Sequence, residues 1–220
     1  MAEHALANKK FLTRAVFYVA SHGVRQFLDV GAGLPTSPAR AGSPAPWLAT
    51  HRAAGTVLAD PVVAYVDYDP VAVAHSQALL TEAGSGPQVV AVGGDMRDPA
   101  AILAHHDIRA AGFDPNVPAC VILACVLHFV DAQTADAIVT AAEALAPGSY
   151  LVISVGFAKG QGGDDFASTY NAQGGPGSTL NPGSRSPPGS TACSSCRPAS
   201  WTAPPGDRNG PKRCPRTDPA

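Results

Sequence analysis

Apolar side chains recur at Leu12, Ala15, Val16 and Val19 with Lys9, Lys10 and Arg14 opposite them, which predicts an amphipathic helix over residues 4–22 closed by Gly23. The period then shortens. QFLDV is a β-rich apolar run that stops at Gly31-Ala32-Gly33, the pattern of a buried strand ending in a tight turn. VVAYVDYD, QVVAV, ACVILA and YLVISV supply four more such runs, and helical stretches separate them. Asp69-Pro70 opens a helix to about Ala83, with Asp as N-cap, Pro in the first turn and Gly84 just past the end. Asp98-Pro99 repeats the device for a short helix through Leu103, and Asp131 caps a helix to Leu145. Pro147-Gly148 turns the chain into the fifth strand. Alternation of this kind from residue 4 to 155 predicts an α/β fold, a Rossmann-like, doubly wound and mostly parallel sheet.

Two stretches break the alternation. Residues 35–60 should hold the helix that crosses from the first strand to the second, yet Pro35, Pro38, Pro44 and Pro46 would each cost about 3 kcal/mol in a helix interior. Only PWLATHRAAGTVLA can supply part of that helix, so an irregular insertion is expected there. From Gln161 to Ala220 there is no Val, Ile or Met and a single Leu, Leu180, which leaves too little apolar area to offset the entropy of ordering. The expected organisation is one domain over residues 1–158 and a disordered, Pro/Gly/Ser/Arg-rich tail over 159–220. Pro, Arg, Gly, Ser and Ala without aliphatics is what a shifted frame of a GC-rich gene encodes. An out-of-frame origin is therefore the expectation for the tail after about Gln173, and for Ala39 to Gly55.

Charge removes some partners. With 15 Lys and Arg against 17 Asp and Glu, the net charge of −2 offers no basic field for phosphates, so nucleic acid is not expected as a partner. No apolar run approaches the roughly 20 residues that span a bilayer, and the N-terminus lacks a signal-peptide layout, so a cytoplasmic protein without membrane contact is expected. Five cysteines without an export signal read as free thiols, with Cys120 and Cys125 as small core residues. Cys193, Cys196 and Cys214 fall one ligand short of a structural zinc site, and no metal is expected. Oligomeric state is not legible.

The candidate chemistry gathers where strands end. Open α/β sheets bind ligands beyond the carboxyl ends of their strands, and the Gly31/Gly33 turn stands at that place, where glycine lets backbone approach a ligand. The second strand ends at Asp67, a carboxylate suited to accept hydrogen bonds from both hydroxyls of a ribose. Asp95, in Gly94-Asp95-Met96-Arg97 after the third strand, is a second acidic site suited to an adenine amino group. A dinucleotide fingerprint would need a third glycine where Thr36 stands, which disfavours an NAD-linked oxidoreductase, and no Walker-type phosphate loop is present. His128, in VLHFV beyond the fourth strand, is a candidate to touch an acceptor or serve as a base near neutral pH. Arg97 and Asp131 lie near the same edge, Asp131 with a sufficient role as a helix cap, and Phe113 and Asp114 are candidates to line the acceptor side.

Together RQFLDVGAGLPTSP, VAYVDYDPVAVAHSQALL, GDMRDPAAIL, VLHFV and LAPGSYLVIS resemble a family of bacterial S-adenosyl methyltransferases, over roughly residues 5–158 without Ala39 to about Leu58. The resemblance implies S-adenosyl-L-methionine as cofactor and a small-molecule acceptor. It also implies that Asp29, Gly31 and Gly33 cradle the methionine part, that Asp67 binds the ribose with Tyr68 beside the sugar or base, and that Asp95 and Met96 flank the adenine. Family members carry a further N-terminal segment, and more helix and a strand hairpin after the fifth strand. On this resemblance both segments are expected to be missing here, so the alternative to an enzyme is a cofactor-binding remnant without activity, and the fifth strand is expected to have an unpaired edge.

Overall fold

The five apolar runs become five parallel strands. In the computed structural model, whose described residues are 2–35, 47–155 and 197–198, these are β1 (Gln26–Val30), β2 (Val62–Asp67), β3 (Val89–Gly93), β4 (Ala119–Ala124) and β5 (Tyr150–Ser154). A two-residue strand, β6 (Arg197–Pro198), pairs parallel to β5 at Tyr150 and Leu151, so the β5 edge expected to be unpaired is covered at those two residues, and the order across the sheet is β3-β2-β1-β4-β5-β6. Apart from those two residues the expected tail lies outside the described residues, as do Cys193, Cys196 and Cys214.

Among the described residues, α-helices cover the sheet: α1 (Ala2–Ser21), α2 (Thr50–Gly55), α3 (Pro70–Glu82), α4 (Pro99–Ala104), α5 (His106–Ala110) and α6 (Ala132–Glu143). Alternating side chains divide the core in two. Phe27, Val63, Tyr65, Cys120, Ile122 and Val152 meet Val16 and Val19 of α1, Ala53 and Ala54 of α2 and Leu80 of α3. Their strand neighbours Leu28, Val30, Ala64, Val66, Val121 and Leu123 meet Ile102 of α4, Ile108 of α5 and Ile138 of α6. Both faces of every central strand are therefore covered, which is why these strands read as continuous apolar runs rather than alternating ones.

The caps are those the sequence predicts. Asp69 Oδ1 accepts the Val71 N–H at 2.8 Å, Asp98 Oδ1 the Ala101 N–H at 3.0 Å and Asp131 Oδ1 the Thr134 N–H at 2.8 Å. Among the described residues of the proline-rich crossover, helix forms over Thr50–Gly55, the part of PWLATHRAAGTVLA that buries Ala53 and Ala54. Helix α5 is an addition: it is too short for periodicity to reveal and is held by the burial of Ile108 and by the His105 ring, whose Nδ1 accepts the Asp107 N–H. One cysteine expectation needs correcting. Cys120 is buried in the core, but Cys125 is only partly covered and holds a left-handed backbone (φ 54°), because the chain must bend there as it leaves β4.

Beyond β1 the chain crosses through α2 to β2 on one side, whereas α4 and α5 bring it to β4 on the other. The strand order thus reverses between β1 and β4, and the crevice a doubly wound sheet uses for ligands opens at their carboxyl ends.

Candidate functional site

Register brings the strand ends level, with Val30 beside Val66 and Leu123, and Asp67 beside Gly93. The turn after β1 curls over β2: the Gly31 and Ala32 amides both donate to the Val66 carbonyl, at 2.8 and 3.2 Å. Gly31 (φ 68°) and Gly33 (φ 57°) adopt the left-handed region that suits glycine. Their environments differ in a way that separates packing from access. A Cβ at Gly31 would run into the Val126 side chain, whereas a Cβ at Gly33 would meet nothing within 4 Å among the described residues. Gly31 is needed for close packing, and Gly33 presents bare backbone to open space.

Asp67 locks that backbone. Its Oδ2 accepts the Gly33 N–H at 2.7 Å, its Oδ1 accepts the Asp69 N–H at 3.0 Å, and Ser76 of α3 donates to the Gly33 carbonyl at 3.1 Å. Each carboxylate oxygen has a lone pair beyond the one these bonds use, so the half-exposed Asp67 can accept two further hydroxyl protons while keeping its place. One turn of chain, one carboxylate and one helix are tied together.

Asp29, one residue before the end of β1, is 7% exposed and points to the α1/α2 face. Its Oδ2 accepts the Thr50 hydroxyl at 2.6 Å. Burial pushes the carboxyl up to about 6, against the pull of the Thr50 bond and of Lys9 on α1. Beside it, Tyr65 Oη accepts the His51 N–H at 3.0 Å and lies 2.7 Å from His51 Nδ1. Burial pushes the Tyr65 phenol far above its usual range and the His51 ring down to about 4, so both groups stay neutral and share the hydrogen bond between Oη and Nδ1. Sequence reasoning did not single out Thr50, His51 or Tyr65. The signal was a tyrosine inside a fully apolar strand, since a buried phenol needs a partner for its hydroxyl.

Beyond β3 the Asp95 carboxylate receives the Arg97 guanidinium through both oxygens, Nε lying 2.9 Å from each, and the Arg97 amide bonds Oδ1 at 2.9 Å. The Arg97 side chain holds Asp95 below the usual carboxylate range. The same guanidinium lies 5.8 Å from the Tyr68 ring centroid, and Tyr68 is 70% exposed just past β2. Met96 is half-buried against the α4–α6 core. Tyr68, Asp95, Met96 and Arg97 thus gather at the ends of β2 and β3.

His128 sits in a 3-10 turn, Leu127–Phe129, after β4, on the same sheet edge. Its ring lies 4.0 Å from that of Phe129 at a tilt of 51°, its Nδ1 is buried with no hydrogen-bond partner among the described residues, and burial holds its pKa below the usual imidazole value. Asp131 acts as the α6 cap, accepting from both the amide and the hydroxyl of Thr134. The reading of Phe113 and Asp114 as an acceptor wall is overturned. Phe113 is 2% exposed in the core, and Gln26, at the amino end of β1, donates to the Asp114 carbonyl at 2.6 Å and accepts its amide at 2.9 Å. Both residues therefore lie at the opposite end of the sheet, because a loop entering a parallel strand reaches its amino end.

Among the described residues no group of His, Cys, Asp and Glu could hold a metal ion, and no helix is long and apolar enough to cross a membrane. The pieces that would meet a nucleoside with a cationic amino-acid tail are an open glycine backbone, an anchored carboxylate at the second strand end and a buried carboxylate beneath the turn.

Comparison with known proteins gives the same picture. The family described as S-adenosyl methyltransferase matches residues 1–178. A "putative methyltransferase" from Thermobifida fusca is 36% identical, with a TM-score of 0.64 over 77% of this chain and 60% of that one. A DUF574-family protein from Streptomyces avermitilis is also 36% identical, with a TM-score of 0.65 over 77% of this chain and 62% of that one. The chain thus spans about three fifths of the length of these two proteins. A comparison with curated proteins finds no match. The sheet order, the turn anchored on Asp67 and the family match over most of the chain make this protein a member of the S-adenosyl methyltransferase family.

Proposed function

We propose that this chain binds S-adenosyl-L-methionine at the carboxyl edge of β1, β2 and β3 and transfers its methyl group to a small-molecule acceptor. The observation that carries the reading is the Gly33 amide held 2.7 Å from the Asp67 carboxylate, which joins the open glycine turn to the ribose-binding position in one rigid unit. When bound, the cofactor supplies a sulfonium methyl that leaves readily to a nucleophile in line with it. The chain's own work is to bind, orient and exclude water.

In this reading Gly31 and Gly33 lie along the methionine part, and Asp29 faces its ammonium from below. Asp67 accepts from the ribose hydroxyls, and Tyr68 covers the sugar or base. Met96 gives the adenine an apolar face, and Asp95, kept ionised by Arg97, accepts from the adenine amino group. His128 stands toward the acceptor. The burial that lowers its pKa keeps the ring neutral at pH 7, so it is free to take a proton from an acceptor hydroxyl, amine or acid.

Calorimetric titration with S-adenosylhomocysteine tests the cofactor half. Micromolar binding is expected, lost by a hundredfold or more in Asp67→Ala, the scale of two charge-assisted hydrogen bonds. A folded wild-type chain that takes up no ligand would end this reading. Release of S-adenosylhomocysteine against a panel of small hydroxy, amino and carboxylic compounds then reports transfer, and His128→Asn should lower the turnover of any accepted compound at least tenfold with cofactor affinity unchanged.

A further inference from the structure

The crossover helix α2 is six residues long and its N-cap makes no side-chain hydrogen bond, yet its first two residues reach β1 and β2 through polar side-chain contacts. Thr50 is 6% exposed and its hydroxyl is committed to Asp29 at 2.6 Å. A threonine hydroxyl has one proton, and a carboxylate can only accept, so Thr50 donates and Asp29 Oδ2 is held in a single orientation. His51 in turn is fastened twice to Tyr65 on β2, through its amide at 3.0 Å and its ring at 2.7 Å, and this fixes the backbone that carries Thr50. A helix built from a proline-rich connection is thereby pinned to β1 and to β2 by hydrogen bonds rather than by length.

We propose that Thr50 is a positioning residue of the cofactor site: its hydroxyl, bonded to Asp29 Oδ2, orients the buried Asp29 carboxylate toward the methionine end of the cofactor. The proposal rests on the reading that Asp29 serves the methionine end of that site. Burial works against a charge at Asp29, so something must favour the ionised form, and the groups around it are few. Thr50 from α2 and Lys9 from α1 favour it, Asp67 from β2 opposes it, and the neutral Tyr65 of β2 and Cys120 of β4 share its surroundings. Thr50 is the group that acts through a direct hydrogen bond, and it also sets direction.

The test compares wild type, Thr50→Val, which keeps the shape and removes the hydroxyl, Thr50→Ser, which keeps the hydroxyl, and Asp29→Asn. The Asp29 carboxyl carbon is titrated by NMR in the cofactor-free chain, and S-adenosylhomocysteine affinity is measured from pH 5 to 8.5. Thr50→Val is expected to move the Asp29 midpoint up by about one pH unit and to weaken binding about fivefold at pH 6, with Thr50→Ser restoring both. An unchanged midpoint, or unchanged affinity at pH 6, in Thr50→Val overturns the role of Thr50. Wild-type affinity in Asp29→Asn overturns instead the reading of Asp29 on which the proposal stands, and the NMR midpoint separates the two failures.

Discussion

Asp29 is a buried carboxyl whose charge works against the fold. Its carboxyl has a midpoint of about 6 in the folded chain against an ordinary 3.8, so the folded state holds the proton more tightly than the unfolded state does. The contribution to stability is therefore full below about pH 4 and is lost as pH rises through about 6. The gap corresponds to roughly 3 kcal/mol as an upper bound. Asp29→Asn keeps an oxygen for the Thr50 hydroxyl and removes the charge, and is expected to raise the unfolding free energy by about 1–2 kcal/mol at pH 8 and by little at pH 5. Urea denaturation at the two pH values measures this, and equal effects at both would rule out a charge penalty at Asp29. His51 works in the other direction, since its depressed midpoint makes stability fall as pH drops from 6.5 toward 4. Tyr65 had no signature in the sequence beyond being polar among apolar neighbours, and Thr50 had none, because a hydrogen bond between residues from different elements leaves no periodicity.

The elements nearest the site are short, and their ends matter more than their middles. Asp69 starts α3 by accepting the Val71 amide, and α3 supplies the Ser76 hydroxyl that holds the Gly33 carbonyl. Removing this cap in Asp69→Ala should cost about 1 kcal/mol in global stability, the usual worth of an N-cap carboxylate. Ser76 lies on a later turn of the helix, so S-adenosylhomocysteine affinity should fall by less than threefold. Denaturation and calorimetry on the same preparation read both numbers, and a large affinity loss would mean that Asp69 itself meets the ligand. The capped, proline-started helices were legible because Asp-Pro followed by apolar residues is a local signal. Helix α5 was not, since five residues cannot display a helical period and its formation depends on the burial of Ile108 between other elements. The same contrast separates Asp131, whose cap role was read correctly, from Asp114, whose position at one end of the sheet or the other is decided by which strand its loop enters.

At the scale of the whole molecule, ligand binding should tighten one edge of the sheet. Saturation at a hundred times Kd adds about 2.7 kcal/mol to stability if the unfolded chain does not bind. The melting temperature should then rise by several degrees, the response of a domain of this size. Hydrogen exchange should slow at the Gly31–Gly33 turn, at Tyr68 and Asp69 and around Asp95, while the amino end near Gln26 and Asp114 keeps its rates. Protection spread evenly over both ends would argue against a site at the carboxyl edge. The alternation of helix and strand, the caps, the glycine turn and the acidic residues at strand ends are written in local sequence, because each depends on residues near one another in the chain. The family resemblance is written there too, since its motifs keep their order and spacing. Which glycine packs and which stays open, Asp67 gripping Gly33 from 34 residues away, Asp29 buried against Thr50 and Phe113 in the core came only with the folded arrangement. These are contacts between distant segments brought together by sheet order and register, and their energies come from burial and hydrogen-bond geometry that no local pattern encodes.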